Sequence, residues 1–338
     1  METRRHAENK RSVYTRLRQV CAASDAELEA SLRALYADDA VCSVAHPVND
    51  LVGCEQILSG WLGPLRAALP DAERRDDIVL AGEFAGTELV ALLGHYQGTF
   101  AAPLFGIPPT NGVVQVRYGE VHALRNGRST RSWVLVDFLD LMRQARAWPL
   151  PPSLGTEGAW PGPATQTGLA LDAVDPVRGA ESLDIVKAMH GALLSFDGKN
   201  LDTMDHARYW TPNFMWYGPS GVGTTRGLRG FQAHHQIPFL RALPDRTGGD
   251  NMYFGDGEFT MNCGWPGMSA THTGGDWLGL APTGKRFTIR VMDFYRIDNG
   301  LLAENWVPID LVDIMQQLGV DVFARMRHLT GNPRLALR

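Results

Sequence analysis

The residue best placed to do chemistry is Asp293, in the run RVMDFYRIDNG. Strands send successive side chains to opposite faces. If Asp293 faces inward, Val291 and Tyr295 do so too, while Arg290, Met292, Phe294 and Arg296 face away. Asp298-Asn299-Gly300 reads as a tight hairpin turn. Across it, the same parity places Asn305, Val307 and Ile309 beside Asp293. A carboxylate in such company is poorly hydrated, so its pKa rises toward the range a general base needs near neutral pH. The competing reading makes Asp293 structural, hydrogen-bonded to backbone or paired with an arginine. A second candidate, His235, shares an i, i+4, i+8 stripe with Phe231 and Phe239. It is either a packed core histidine or a pocket donor and proton shuttle. Together these residues suit proton abstraction next to a carbonyl. Asp293 is then the base, His235, His272, Tyr217 and Asn305 are candidates to orient substrate or stabilise the enolate, and Tyr295 is a further substrate-binding candidate.

These residues belong to the second of two copies. Gly106 to Gln144 aligns with Gly279 to Gln317 at a constant offset of 173, with 12 identities in 39 columns. ALPD at Ala68–Asp71 recurs at Ala242–Asp245, and Gly53 pairs with Gly227, both at an offset of 174. The expected organisation is a divergent copy over 1–146, a Pro/Gly-rich linker over 147–178 carrying Trp148 and Trp160, and a better-preserved copy over 179–338. Each copy runs from helices into strands, with Leu183–Phe196 and Leu28–Tyr36 as first helices and Gly230–Leu243 as the second helix of the later copy. Asn126-Gly127 marks the matching hairpin, and Asp137 and Asp310 open a closing helix as D-x-x-D, which suits helix capping. This order predicts an α+β fold, with helices packed on a curved antiparallel sheet. In the first copy Tyr118, Glu120 and His122 share the inward parity and form a second candidate pocket. Trp61 stands opposite His235 and Thr99 opposite His272, so two identical sites are excluded. Trp133 and Trp306 have the opposite parity and are expected to pack against helices or the partner sheet.

Lys and Arg number 32 against 37 Asp and Glu, a net charge of −5, which gives no drive toward nucleic acid or anionic lipid. No apolar run reaches membrane-spanning length. Cys21, Cys42, Cys54 and Cys263 are too irregularly spaced for a disulfide framework or zinc site, and reduced thiols in a cytoplasmic protein are expected. His234 and His235 are adjacent on a helix and diverge, and the sequence has no HExxH, P-loop, GxGxxG, GxSxG or CxxC. No metal or cofactor is expected.

The strings THTGGDWLGLAPTGKRF, RVMDFYRIDNG and ENWVPIDLVDIMQQLG resemble the SnoaL-like polyketide cyclase family, and HYQGTFAAPLFGIPPT with RNGRSTRSWVLVDFLDLMRQ resembles it more loosely. The resemblance implies two cone-shaped domains of the nuclear-transport-factor-like fold, also used by ketosteroid isomerases. It implies that their sheets pair as an internal pseudo-dimer, with further homo-oligomerisation open, and that a small molecule enters the cone. It adds His272 as a catalytic candidate, and Trp216 and Tyr217 as pocket residues. The family's cyclase base falls at Val307 and Val134, and its pocket histidine at Asp293 and Glu120. Valine cannot take a proton, so the familiar cyclisation route is not expected. Isomerisation, elimination or ring closure by another base remains, and a non-catalytic small-molecule-binding or accessory protein is the alternative.

Overall fold

A computed structural model describes residues 2–275 and 277–330. The first sheet holds β1 (Tyr36–Val44), β2 (Asn49–Val52), β3 (Glu73–Phe84), β4 (Thr87–Thr99), β5 (Val113–Arg125) and β6 (Arg128–Val136), in the order β2-β1-β6-β5-β4-β3. The second holds β7 (Trp210–Tyr217), β8 (Thr225–Arg226), β9 (Thr247–Gly248), β10 (Asn251–Asp256), β11 (Phe259–Thr271), β12 (Arg286–Asp298) and β13 (Leu301–Trp306). Its order is β10-β11-β12-β13-β7-β8, with β9 on β11. Each copy is therefore an α+β domain, and neither sheet closes into a barrel. The sheets are mixed, not wholly antiparallel: β1 runs parallel to β6, and β7 to β13. The reason is connectivity, because the chain leaves the first long strand through helices and returns beside it only after the meander.

The expected hairpins form. Asn126 and Asn299 take φ of 54° and 49°, followed by Gly127 and Gly300 at 71° and 79°. Two successive positive φ values are what a two-residue turn needs to match strand twist. Asp137 accepts from the Asp140 backbone N–H and Asp310 from that of Asp313, so both act as N-caps. Two helices lie outside the sequence reading, Glu2–Ala22 and Val322–Thr330. The second helix of the later copy, Gly227–Ala242, carries a π-helical turn over Gln232–Gln236. No helix among the described residues is long and apolar enough to cross a membrane.

The copies meet as a pseudo-dimer. The His46 N–H donates to Asp310 at 2.9 Å, and the Ser220 N–H to Asp137 at 3.0 Å. The two acceptors lie 173 residues apart and the two donors 174, so one contact is made twice about a pseudo-two-fold axis. Lys10 reaches across to Asp256 at 2.8 Å in a fully buried ion pair. The linker is pinned to the second sheet by Trp306, whose indole donates to the Pro161 carbonyl at 2.8 Å, and Trp160 lies under the Arg117 guanidinium.

Candidate functional site

The second cone encloses a cavity of about 430 Å³. Val291, Asp293 and Tyr295 of β12 line it, with Asn305, Val307 and Ile309 from the facing segment, the alternation read from the sequence. β12 and β13 set Tyr295 opposite Asn305, and the same register returns with Val291 opposite Ile309, so Asp293 stands across from Val307. Across that pair the two side chains are separated by a cross-strand step of about 5 Å.

Asp293 is anchored from both sides. Its Oδ2 accepts from Asn262 Nδ2 at 2.9 Å, and its Oδ1 faces Asn305 Nδ2 at 3.4 Å. No arginine or lysine pairs with it among the described residues. Burial pushes its pKa upward, against the opposing pull of His190, the two amides and the Tyr295 hydroxyl. Beside it, His190 bridges two phenols, with Nδ1 3.1 Å from the Tyr253 hydroxyl and Nε2 2.9 Å from that of Tyr295. Burial depresses the His190 pKa, which favours the neutral ring. A neutral imidazole has one donor and one acceptor nitrogen. It therefore accepts from one tyrosine and donates to the other, and the Tyr295 hydroxyl also faces the Asp293 carboxylate.

His235 lines the cavity away from this group. Its ring stacks on Trp216 at 4.0 Å and leans on Phe231 and Phe239. Burial holds its pKa down at about 3, and Nδ1 has no hydrogen-bond partner. It is a neutral ring in an aromatic wall, and its unpartnered Nδ1 is itself buried. Trp216 shares that wall.

Three expectations are corrected. His272 does not line the cavity: it is fully buried, its ring 6.2 Å from that of Trp277, which lines the wall in its place, and its Nδ1 lies 3.4 Å from Thr283 Oγ1. Tyr217 faces the other side of β7 from Trp216, as alternation demands. There it stacks on Trp306 and donates to Glu304 at 3.3 Å, under the linker. The second pocket is filled. Glu120 is bound by Arg74, Arg74 also donates to Asp76 at 2.7 Å and to the Tyr96 hydroxyl at 2.9 Å, and Tyr118 donates to Asp76 at 2.7 Å. His122 lies 3.6 Å from Glu120 and 3.1 Å from Ser129. Only about 20 Å³ remains beside them.

The sequence reading missed His190, Tyr253, Asn262 and Arg246, all of which line the cavity. For His190 the signal was present. Val186, Met189, His190 and Leu193 are spaced i, i+3, i+4, i+7, which puts the imidazole on the packed face of its helix. Asn262 is the β11 partner of Asp293, and needed that strand's register to be found.

The chain is thus a tandem pair of α+β cones, one plugged and one hollow with a carboxylate at its wall. The chain belongs to the SnoaL-like polyketide cyclase family, whose model matches residues 12–145 and 189–318. No curated protein matches it. Solved structures similar to it include a SnoaL-like protein from Jannaschia Sp. CCS1, with 19% identity over 44% of this chain and 95% of that one, at a TM-score of 0.37. IdmH from Streptomyces antibioticus shows 23% identity over 40% and 96%, at 0.33. An NTF2-like protein from Burkholderia xenovorans LB400 shows 16% over 42% and 98%, at 0.32.

Proposed function

We propose that the second copy is an enzyme that moves protons on a small, partly apolar carbonyl compound without a cofactor, leading to isomerisation, elimination or ring closure. The observation that carries this reading is Asp293: a desolvated carboxylate facing a large cavity, held by two amides and paired with no cation among the described residues. A carboxylate kept for structure has its charge matched, as Glu120 does against Arg74.

In the proposed step, an Asp293 oxygen takes a proton from the carbon next to the carbonyl. The C–H electron pair becomes the enolate double bond, and the carbonyl oxygen gains the negative charge. Tyr253, accepting from His190 Nδ1, donates its O–H to that oxygen, which supplies a preorganised donor at the cavity wall. Protonated Asp293 then returns its proton to another carbon for isomerisation or to a leaving group for elimination. In ring closure the enolate carbon attacks a second carbonyl and the proton goes to the new alkoxide. Asn262 and Asn305 keep the carboxylate aimed throughout.

The test is hydrogen exchange in D2O, followed by NMR, on a panel of aryl ketones and β-diketones. Wild-type protein should speed exchange at the carbon next to the carbonyl, and Asp293→Asn should lose about a hundredfold or more of that acceleration. Exchange by Asp293→Asn at the wild-type rate would remove the assignment. Binding of the same panel without exchange in either protein would favour the carrier reading.

A further inference from the structure

The repeat allows the two cones to be compared row by row. Asp71 accepts from the backbone N–H and hydroxyl of Thr99, and Asp245 does the same with Thr271. β3 sets Arg74 opposite Tyr96, and β9 sets Gly248 opposite Met268. The inward row therefore reads Ala72 then Arg74 in the first copy, and Arg246 then Gly248 in the second. Ala72 lines what remains of the first cavity, and Arg246 and Gly248 line the second, so the parity agrees.

The guanidinium has moved by two residues, about 6 to 7 Å along the strand. In the first copy it sits inside the cone and is consumed by Asp76 and Glu120. In the second it sits at the cavity's edge, half-buried, packed over the Phe196 ring at 5.6 Å. There it pairs with no carboxylate among the described residues, and a glycine vacates the space where the first copy's arginine lies. The two charged side chains of the second cavity, Arg246 and Asp293, thus line it without pairing with each other. A guanidinium held partly out of water and lacking an anion is a ready partner for one, and its planar donors suit a carboxylate.

Resting on the proposed reading of Asp293 as the base, we propose that Arg246 is a specificity determinant: it holds a carboxylate on the substrate, which is a keto acid lying with its anionic end at Arg246 and its ketone at Asp293. This orientation also keeps the substrate's negative charge away from Asp293, where it would oppose formation of the enolate.

The test uses aryl ketones carrying a terminal carboxylate one to four methylenes from the carbonyl, each beside its methyl ester, with binding read by calorimetry and exchange by NMR. In wild-type protein at least one acid should bind about tenfold or more tighter than its ester, and that preference should weaken as salt is raised. Arg246→Gln should erase the preference while ester binding persists, and Arg246→Lys should keep part of it. No acid preferred over its ester, or a preference unchanged in Arg246→Gln, overturns the proposal. Asp293→Asn separates the two readings. It should abolish exchange without weakening acid binding, so an Asp293→Asn variant that still exchanges, or wild-type protein that shows the Arg246-dependent preference without exchange, would refute the base and leave the anion site standing.

Discussion

Replacing Arg74 with methionine tests why the first cone cannot serve as a second site. Arg74 is almost completely buried, and its guanidinium lies between Asp76 and Glu120. Although burial opposes ionisation, the guanidinium and His122 hold the Glu120 pKa at about 2, against an ordinary 4.5. At about 1.4 kcal/mol for each tenfold step in acidity, that fall corresponds to roughly 3 kcal/mol of stability. The group's folded pKa is depressed, so this contribution is complete above pH 4.5 and is lost as pH falls toward 2. In Arg74→Met the two carboxylates face each other inside the protein without a cation, and removing one partner of a buried pair costs about 3–5 kcal/mol. Without the arginine the buried carboxyls prefer to be protonated, which reverses the sign of the pH dependence. The variant should be weakest near neutrality and approach wild type in acid. Urea unfolding at a series of pH values between 3 and 8 measures this directly. A loss under about 1 kcal/mol at pH 7, or one that stays constant with pH, would refute the account of a charge-matched plug.

Gly248→Arg should transplant that plug. A Cβ at Gly248 meets nothing within 4 Å, so the side chain has room, and the new guanidinium should fill the second cone and abolish ligand binding by calorimetry with little loss of thermal stability. Asp293→Asn should raise the melting temperature at pH 7 to 8, because the native pKa of Asp293 is raised and its charged form costs stability as pH rises. The wild-type exchange rate should climb with pH through a limb above the usual carboxylate range, and that limb should vanish in the same variant. His235, with a pKa of about 3, should show no protonation by nitrogen NMR between pH 5 and 8, and His235→Phe should leave the shape of the pH profile unchanged.

The parts of the site that obey a simple period could be read from the residues. Alternation along RVMDFYRIDNG, folded back at Asn299-Gly300, placed Asp293 beside Asn305, Val307 and Ile309, and it holds because a bulge between Arg296 and Ile297 shifts the pairing by one residue from the Asp298–Leu301 register at the turn. The same reasoning placed Tyr118, Glu120 and His122 together, yet it gave a pocket where there is a plug. Parity says which way a side chain points, not what fills the space opposite, and Arg74 enters from a strand far away in the sequence. Tyr217 shows the limit of a fold-level expectation, since its neighbour Trp216 takes the inward position and leaves it the other face. His272 keeps the face of Met268, which lines the cavity, but it lies beside the Trp277 ring, and Trp277 rather than the imidazole lines the wall there. His190 lies on a helix whose apolar stripe is weak, and its role emerges only when Tyr253 and Tyr295 close around it.

The doubled contact of His46 with Asp310 and Ser220 with Asp137 has one more consequence. In a dimer of separate identical subunits, any substitution is expressed in both halves at once. An arginine driven into the cone would silence every active centre together. Joined in a single polypeptide, the halves are free to specialise: one gains rigidity and becomes a buttress, and the other keeps its hollow, stiffened by a neighbour that no longer needs room for a guest.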